Sequence, residues 1–128
     1  MTLRHQELTS RVIRTYYDVY NELGYGYLRA VYQNALEIAL TRSGLSIESG
    51  RGLGGNFRGQ VVGELKVQLL IDGHLLLCLI STERIEGKHR HVVVNHLRGT
   101  GLDLGLLFNF GPRPSLERVV ADWTTSPP

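Results

Sequence analysis

Two amphipathic segments open the chain. From residue 12 to residue 23, apolar side chains recur near the period of an α-helix, with Thr9 or Ser10 as the N-cap and Gly24 as the stop. The segment YLRAVYQNALEIALTRSG predicts a second helix that ends at Gly44. Its apolar stripe comprises Leu28, Val31, Tyr32, Ala35, Leu36, Ala39 and Leu40. We interpret the aromatic residues of both helices as core packing.

The middle of the chain changes to the period of a strand. A short strand is predicted at LSIES, and residues 60–71 then alternate, with Leu65, Val67, Leu69 and Ile71 on one face. The pair Asp72-Gly73 tolerates positive φ at both positions, which predicts a tight turn into a second strand over residues 74–81. That strand, HLLLCLIS, is apolar without alternation. We therefore expect both of its faces to be covered.

The last third of the chain contains one ambiguous segment. In TERIEGKHRHVVVNHLRGTG the three valines favour a strand, whereas the length and Gly101 favour a helix over about 88–100. LDLGLLFNFG then predicts a buried strand and SLERVVADW an edge strand. The order of elements predicts a single α+β domain over residues 1–120, followed by a flexible tail at 121–128.

Composition and charge exclude several classes of protein. The 128 residues, 42% of them hydrophobic, suit one domain, and the net charge of +2 comes without a polybasic run. Cys78 is the single cysteine and lies among apolar neighbours, so we expect a buried, inert thiol and no disulfide within the chain. No stretch is apolar for long enough to span a membrane, and the N-terminus does not resemble a signal peptide. These features indicate a cytoplasmic protein.

Three short patterns match those of nucleotide, nuclease or zinc sites, but the surrounding sequence does not favour such a site in any of them. The spacing of Gly50, Gly52 and Gly55 matches a dinucleotide fingerprint, but a strand rather than a helix is expected next, so we predict a flexible connection. Residues 64–66 and 86–88 each read Glu-x-Lys and are interpreted as solvated surface charge. The histidines between residues 74 and 96 have no acidic or cysteine partner at ligand spacing, so no zinc site is predicted.

Three segments together resemble a known family. NELGYGYLRAVYQNAL, the hairpin and HLRGTGLDLGLLFNFG are similar to the GxxExxY family of PD-(D/E)XK nuclease-fold proteins, over about residues 10–120. The resemblance implies an α+β, restriction-endonuclease-like core. Its elements are two N-terminal helices, an antiparallel hairpin, a helix and two further strands, with the strands in one mixed sheet. It also implies that residues 88–100 form the helix.

The resemblance further implies a degenerate active site. Such a family places a glutamate on the second helix, an aspartate on the first hairpin strand, Glu-x-Lys on the second and a glutamine on the later helix, where the carboxylates hold Mg²⁺. In this chain the corresponding positions carry Arg29, Gln68, Cys78, Ile80 and Val92. We therefore expect no catalytic residue, no metal, no cofactor and no nuclease activity.

Two functions remain in competition, and a residual enzyme is a weaker third. We favour a structural protein that assembles with itself into a homo-oligomer, for example a closed ring or shell. The alternative is a non-cleaving nucleic-acid-binding module that uses the former nuclease groove. Its candidate phosphate contacts are Arg29, Arg84, Lys88, Arg90 and Arg98. No membrane partner is expected.

Overall fold

The computed structural model describes residues 5–121, except for the side chain of Leu65. The helices of this region are α1 (Gln6–Leu23), α2 (Arg29–Arg42) and α3 (Gly87–Thr100). Its strands are β1 (Ile47–Ser49), β2 (Gly52–Phe57), β3 (Gln60–Lys66), β4 (Leu69–Ile71), β5 (Leu75–Ile80), β6 (Leu104–Asn109) and β7 (Ser115–Val120).

Five of these strands form one mixed sheet in the order β1-β4-β5-β6-β7. Strands β5 and β6 are parallel, with α3 in the connection between them, and the other neighbours are antiparallel. The Asp72-Gly73 turn joins β4 to β5 and has positive φ at both residues, 52° and 70°. The predicted α+β architecture, the hairpin at this turn and the edge position of the last strand are confirmed.

Strand β5 is covered on both faces, as its unbroken apolar run predicts. Leu75, Leu77 and Leu79 belong to a hydrophobic cluster with α1 and α2. Leu76 and Cys78 belong to a second cluster, which α3 contributes to through Val93 and Leu97. The chain's own helices therefore bury both faces of the strand.

The tyrosines of the first two helices pack in the core. The ring of Tyr16 stacks on Phe108 at 4.3 Å, and that of Tyr32 stacks on Phe110 at 4.2 Å. The Tyr16 hydroxyl donates a hydrogen bond of 2.5 Å to the carbonyl oxygen of Asn109. The helical alternative for the ambiguous segment is also confirmed: α3 spans Gly87–Thr100 and is followed by Gly101, whose φ is 74°.

Two details of the predicted helices are wrong. Helix α1 begins at Gln6, so Thr9 is a buried residue inside the helix and neither Thr9 nor Ser10 caps it. Helix α2 begins only at Arg29, which leaves Leu28 before the first turn and 80% exposed. Val31 is also exposed, so the buried stripe of α2 is narrower than predicted, comprising Tyr32, Leu36 and Leu40.

The prediction of a single strand over residues 60–71 is wrong as well. The strand is interrupted at Val67 and Gln68, and β3 pairs with β2 in a separate two-stranded sheet. Val67 consequently lies in the α3 cluster, whereas Leu69 and Ile71 lie in the α1–α2 cluster. The expected flexible connection around residue 55 is instead strand β2, joined to β3 through a turn with positive φ at Arg58 (51°) and Gly59 (79°).

The described fold extends one residue past the expected domain boundary at residue 120. Ala121 is buried, and its N–H donates to the carbonyl oxygen of Asp103 at 2.9 Å, so this first residue of the predicted tail is part of the fold. The rest of the predicted tail, residues 122–128, lies outside the described residues.

Candidate functional site

The centre of the predicted degenerate site is Cys78, on the face of β5 that α3 covers. Its side chain is 3% exposed and belongs to the same cluster as Val93 and Leu107. Burial raises the pKa of the thiol to about 12, and the positive charge of Arg29 offsets only part of that rise. The thiol is therefore protonated at neutral pH, and a protonated thiol is a poor nucleophile and a poor metal ligand.

Gln68 fills the break between β3 and β4 with hydrogen bonds to the main chain. Its Oε1 accepts the N–H of Leu79 at 2.7 Å, and its Nε2 lies 3.5 Å from the carbonyl oxygen of the same residue. The carbonyl oxygen of Gln68 lies 3.4 Å from Nε2 of Gln33, on α2. The side-chain amide thus continues the ladder that β4 makes with β5, and its polar atoms are already engaged.

Of the remaining predicted positions, two lie near this pair and one does not. Arg29 is exposed at the first residue of α2, close enough for its charge to act on Cys78. Ile80 is half-buried at the end of β5 and packs against the α3 cluster. Val92 is 49% exposed on α3 and belongs to neither cluster. The fold therefore gathers Arg29, Gln68, Cys78 and Ile80 at one end of β5, with Val92 outside their packing.

Three other titratable residues, Glu86, His89 and His96, make hydrogen bonds within the α3 region. Glu86 caps the helix: its side chain accepts the N–H of His89, whose Nδ1 accepts the N–H of Glu86 at 2.9 Å. Nδ1 of His96 lies 2.8 Å from the carbonyl oxygen of Val92. Within residues 5–121, no three His, Cys, Asp or Glu side chains come together in a way that could hold a metal ion.

The basic residues of the nucleic-acid alternative differ in their surroundings. Arg90 makes a salt bridge of 2.7 Å with Glu117 on β7, so its charge is neutralised. Lys88 is exposed on nearly the opposite side of α3 from Arg90, and Arg98 is exposed about two turns further along the helix. Arg84 is exposed in the loop before α3, where it lines a shallow groove together with Arg113, Glu83 and Glu86. Acidic side chains therefore accompany two of the five cations.

Sequence reasoning missed two features of this region. Gln33 is one; its spacing of four residues from Arg29 on a predicted helix could have indicated that both face the strands. The other is the exposed apolar end of the β2–β3 hairpin, with Phe57, Val61 and Val62. The predicted strand at Val61-Val62 is confirmed. No glycine or proline follows Lys66, so the sequence does not indicate that this strand ends there and belongs to a second sheet.

Comparison with known proteins agrees with this architecture. The family profile described as the PD-(D/E)XK nuclease superfamily matches residues 6–119. The crystal structure of SSO0001 is similar in fold, with a TM-score of 0.58 and 16% sequence identity, and the match covers 75% of this chain and 52% of that one. This chain thus matches about half the length of that protein. None of the curated proteins compared with the chain matches it.

The chain belongs to the PD-(D/E)XK nuclease superfamily, because the family profile matches nearly its whole length. No helix within residues 5–121 is both long enough and apolar enough to cross a lipid bilayer.

Proposed function

We propose that this member of the superfamily no longer cleaves nucleic acid and acts in the cytoplasm as a structural protein that assembles into a homo-oligomer. The observation that carries the proposal is the burial of Cys78. The resemblance assigns this position to the glutamate of Glu-x-Lys, which must reach both a metal ion and water. Here a 3% exposed thiol lies beneath α3 instead.

The neighbouring positions support the same conclusion. A site for Mg²⁺ requires several oxygen ligands in an open groove. Arg29 brings a cation, the Gln68 amide is bonded to Leu79, and Ile80 is aliphatic. None of these side chains supplies a carboxylate.

Membership of the GxxExxY family is part of the proposal, and two motif positions support it through structural roles. The hydroxyl of Tyr32 donates to the carbonyl oxygen of Gly24 at 2.6 Å and accepts the N–H of Tyr27 at 3.2 Å. Gly26 has a φ of 109°, which favours glycine. Gly26 and Tyr32 therefore fix the conformation of the α1–α2 connection. Arg29, which lies between them in the motif, can differ from glutamate without loss of the fold.

Support for self-assembly comes from apolar surface outside the predicted site. Because α3 covers the β5 face, that face needs no second subunit. Large apolar side chains are instead exposed at the start of α2 and on the β2–β3 hairpin, at Leu28, Val31, Phe57, Val61 and Val62. The three on the hairpin lie close together beside its turn, and neighbouring exposed apolar groups are typical of contact surfaces.

Native particle mass tests the proposal. Mass photometry of the purified chain is performed at low salt and at about 1 M salt, where exposed charge interactions are screened. The ratio of nucleic-acid to protein absorbance is recorded on the same samples. We expect a discrete particle many times heavier than 14.3 kDa at both salt concentrations, without nucleic acid.

Three results would contradict the proposal. A monomer at both salt concentrations excludes a self-assembled structural protein. A small species that binds nucleic acid at low salt and releases it at high salt supports the non-cleaving binding module instead. Cleavage of DNA or RNA in the presence of Mg²⁺ or Mn²⁺ contradicts the loss of catalysis.

A further inference from the structure

The β2–β3 hairpin is attached to the rest of the chain at its base. The two strands pair with each other and with no other strand among residues 5–121. Leu53 of β2 packs against the α3 cluster, and a Cβ at Gly99 of α3 would lie only 2.8 Å from its Cδ1. Strand β2 therefore contacts the helix, and the tip of the hairpin lies beyond this contact.

Beside its turn, which contains Arg58, the hairpin exposes apolar side chains, and half of its free edge lacks the usual protection of an edge strand. Val61 is 78% exposed, Val62 67% and Phe57 58%. Successive residues of a strand point to opposite faces, so the two valines present apolar surface on both sides. Free edges in soluble proteins are commonly protected by charged residues or proline; the charges of β3 are confined to Glu64 and Lys66, and residues 60–63 contain neither a charge nor proline.

The hairpin is also a weak structure by itself. Two-stranded hairpins are marginally stable in water, and glycine weakens a strand. Four of its strand positions are glycine: Gly52, Gly54, Gly55 and Gly63. At Gly63 the chain itself gives no reason for glycine, because a Cβ there would meet nothing within 4 Å and φ is not positive. A third strand would supply the stabilisation that the hairpin lacks.

We infer that the free edge of β3 pairs antiparallel with β3 of a second copy of this chain. This inference rests on the proposed self-assembly and names the surface that would mediate it. A two-fold axis through Gly63 would place all seven residues of β3 opposite seven of the second copy. Gln60 then faces Lys66 and Val62 faces Glu64, so no like charges are opposed.

The chemistry of the edge favours a second copy over a nucleic acid. Residues 60–63 carry no cation that could contact phosphate, and their β-branched side chains suit a pleated sheet. Of the two cations that flank them, Arg58 lies over the Phe57 ring at 4.9 Å and Lys66 would face Gln60 of the second copy. The pairing described above is self-complementary in both backbone and charge.

Cysteine cross-linking tests this pairing on the full chain. In Gly63→Cys the two new thiols would meet across the two-fold axis, where paired antiparallel residues have Cα atoms about 4.5–5.5 Å apart, within reach of a disulfide. Gly54→Cys on β2 is the matched control, since it too is an exposed strand glycine with room for a Cβ. The native Cys78 is buried and does not compete.

After mild oxidation, we expect most of the Gly63→Cys protein to run as a disulfide-linked dimer on a non-reducing gel and the Gly54→Cys protein to run as a single chain. If the native protein is a large particle but Gly63→Cys does not cross-link, the hairpin pairing is wrong while self-assembly stands. If the native protein is a monomer, the proposed function fails first and the pairing fails with it.

A second pair of variants tests the surface independently of its register. Val61→Lys/Val62→Lys places repelling charges at the edge and should reduce the native mass to that of a smaller species. Ile38→Lys, at a 53% exposed site on α2, should leave the mass unchanged. Circular dichroism should show the same fold in both proteins. A particle that keeps its full mass with both lysines on β3 would overturn the inference.

Discussion

Raising the pH above 9 should destabilise the native chain more than the Cys78→Ala variant. Burial raises the pKa of this thiol from 9.0 to about 12, so the folded chain keeps a proton that the unfolded chain loses. Since the unfolded state then binds fewer protons, the free energy of unfolding falls as the pH rises. The same thiol in an open groove would show no such effect.

The size of the effect follows from the two pKa values. Each pH unit between them costs about 1.4 kcal/mol, so about 2 kcal/mol should be lost between pH 8 and pH 10.5, and about 4 kcal/mol by pH 12. Truncation to alanine also removes buried volume, which costs about 1 kcal/mol at every pH. Only the dependence on pH therefore reports on the thiol.

Urea unfolding at several pH values between 8 and 10.5 measures this difference. Tyr16, whose pKa burial also raises, titrates in both proteins and cancels when the two curves are subtracted. We expect the stability of the native chain, measured relative to the variant, to fall by about 2 kcal/mol across this range. A difference that is constant with pH would refute the burial of Cys78 by α3.

Three further changes test how the region is held together. Asn109→Ala should cost about 2–4 kcal/mol in thermal unfolding, because the buried amide hydrogen-bonds to both backbone groups of Thr82, to the N–H of Gly111 and to a serine hydroxyl. Gln68→Ala should cost about 1–3 kcal/mol in urea unfolding by leaving the N–H of Leu79 unpaired, whereas Gln68→Glu should retain that acceptor. Arg90→Gln should change stability by less than about 1 kcal/mol, because its salt bridge is exposed; a larger loss would contradict this assignment.

The fold was predictable from the sequence wherever a pattern was local. The Asp72-Gly73 turn and the apolar run of β5 each require a particular backbone or environment, and both predictions are confirmed. The start of α1 was not predictable in this way: Thr9 has a typical capping side chain, yet the helix extends one turn further and buries it. Tertiary packing overrode the local preference there.

The separate β2–β3 sheet depends on long-range geometry that periodicity does not contain. Alternation continues past Lys66, so residues 60–71 look like one strand. The interruption appears only when Val67 packs with the α3 cluster and Gln68 reaches Leu79. In the candidate site, the residue types at the predicted positions could be read from the sequence. The identity of the element that covers Cys78 required the structure.

Burial of β5 on both faces links the proposed loss of chemistry to the stability of the fold. A carboxylate at position 78 would need water or a metal ion, and enclosing it as an unpaired charge would cost several kcal/mol. A small apolar side chain at the same position instead allows α3 to pack closely through Val93 and Leu97. Once that packing exists, a carboxylate at position 78 alone would loosen the helix before it could bind a metal. The apolar side chains on β5 and the close packing of α3 against them therefore depend on each other. For this reason a single substitution at position 78 would not restore an open groove.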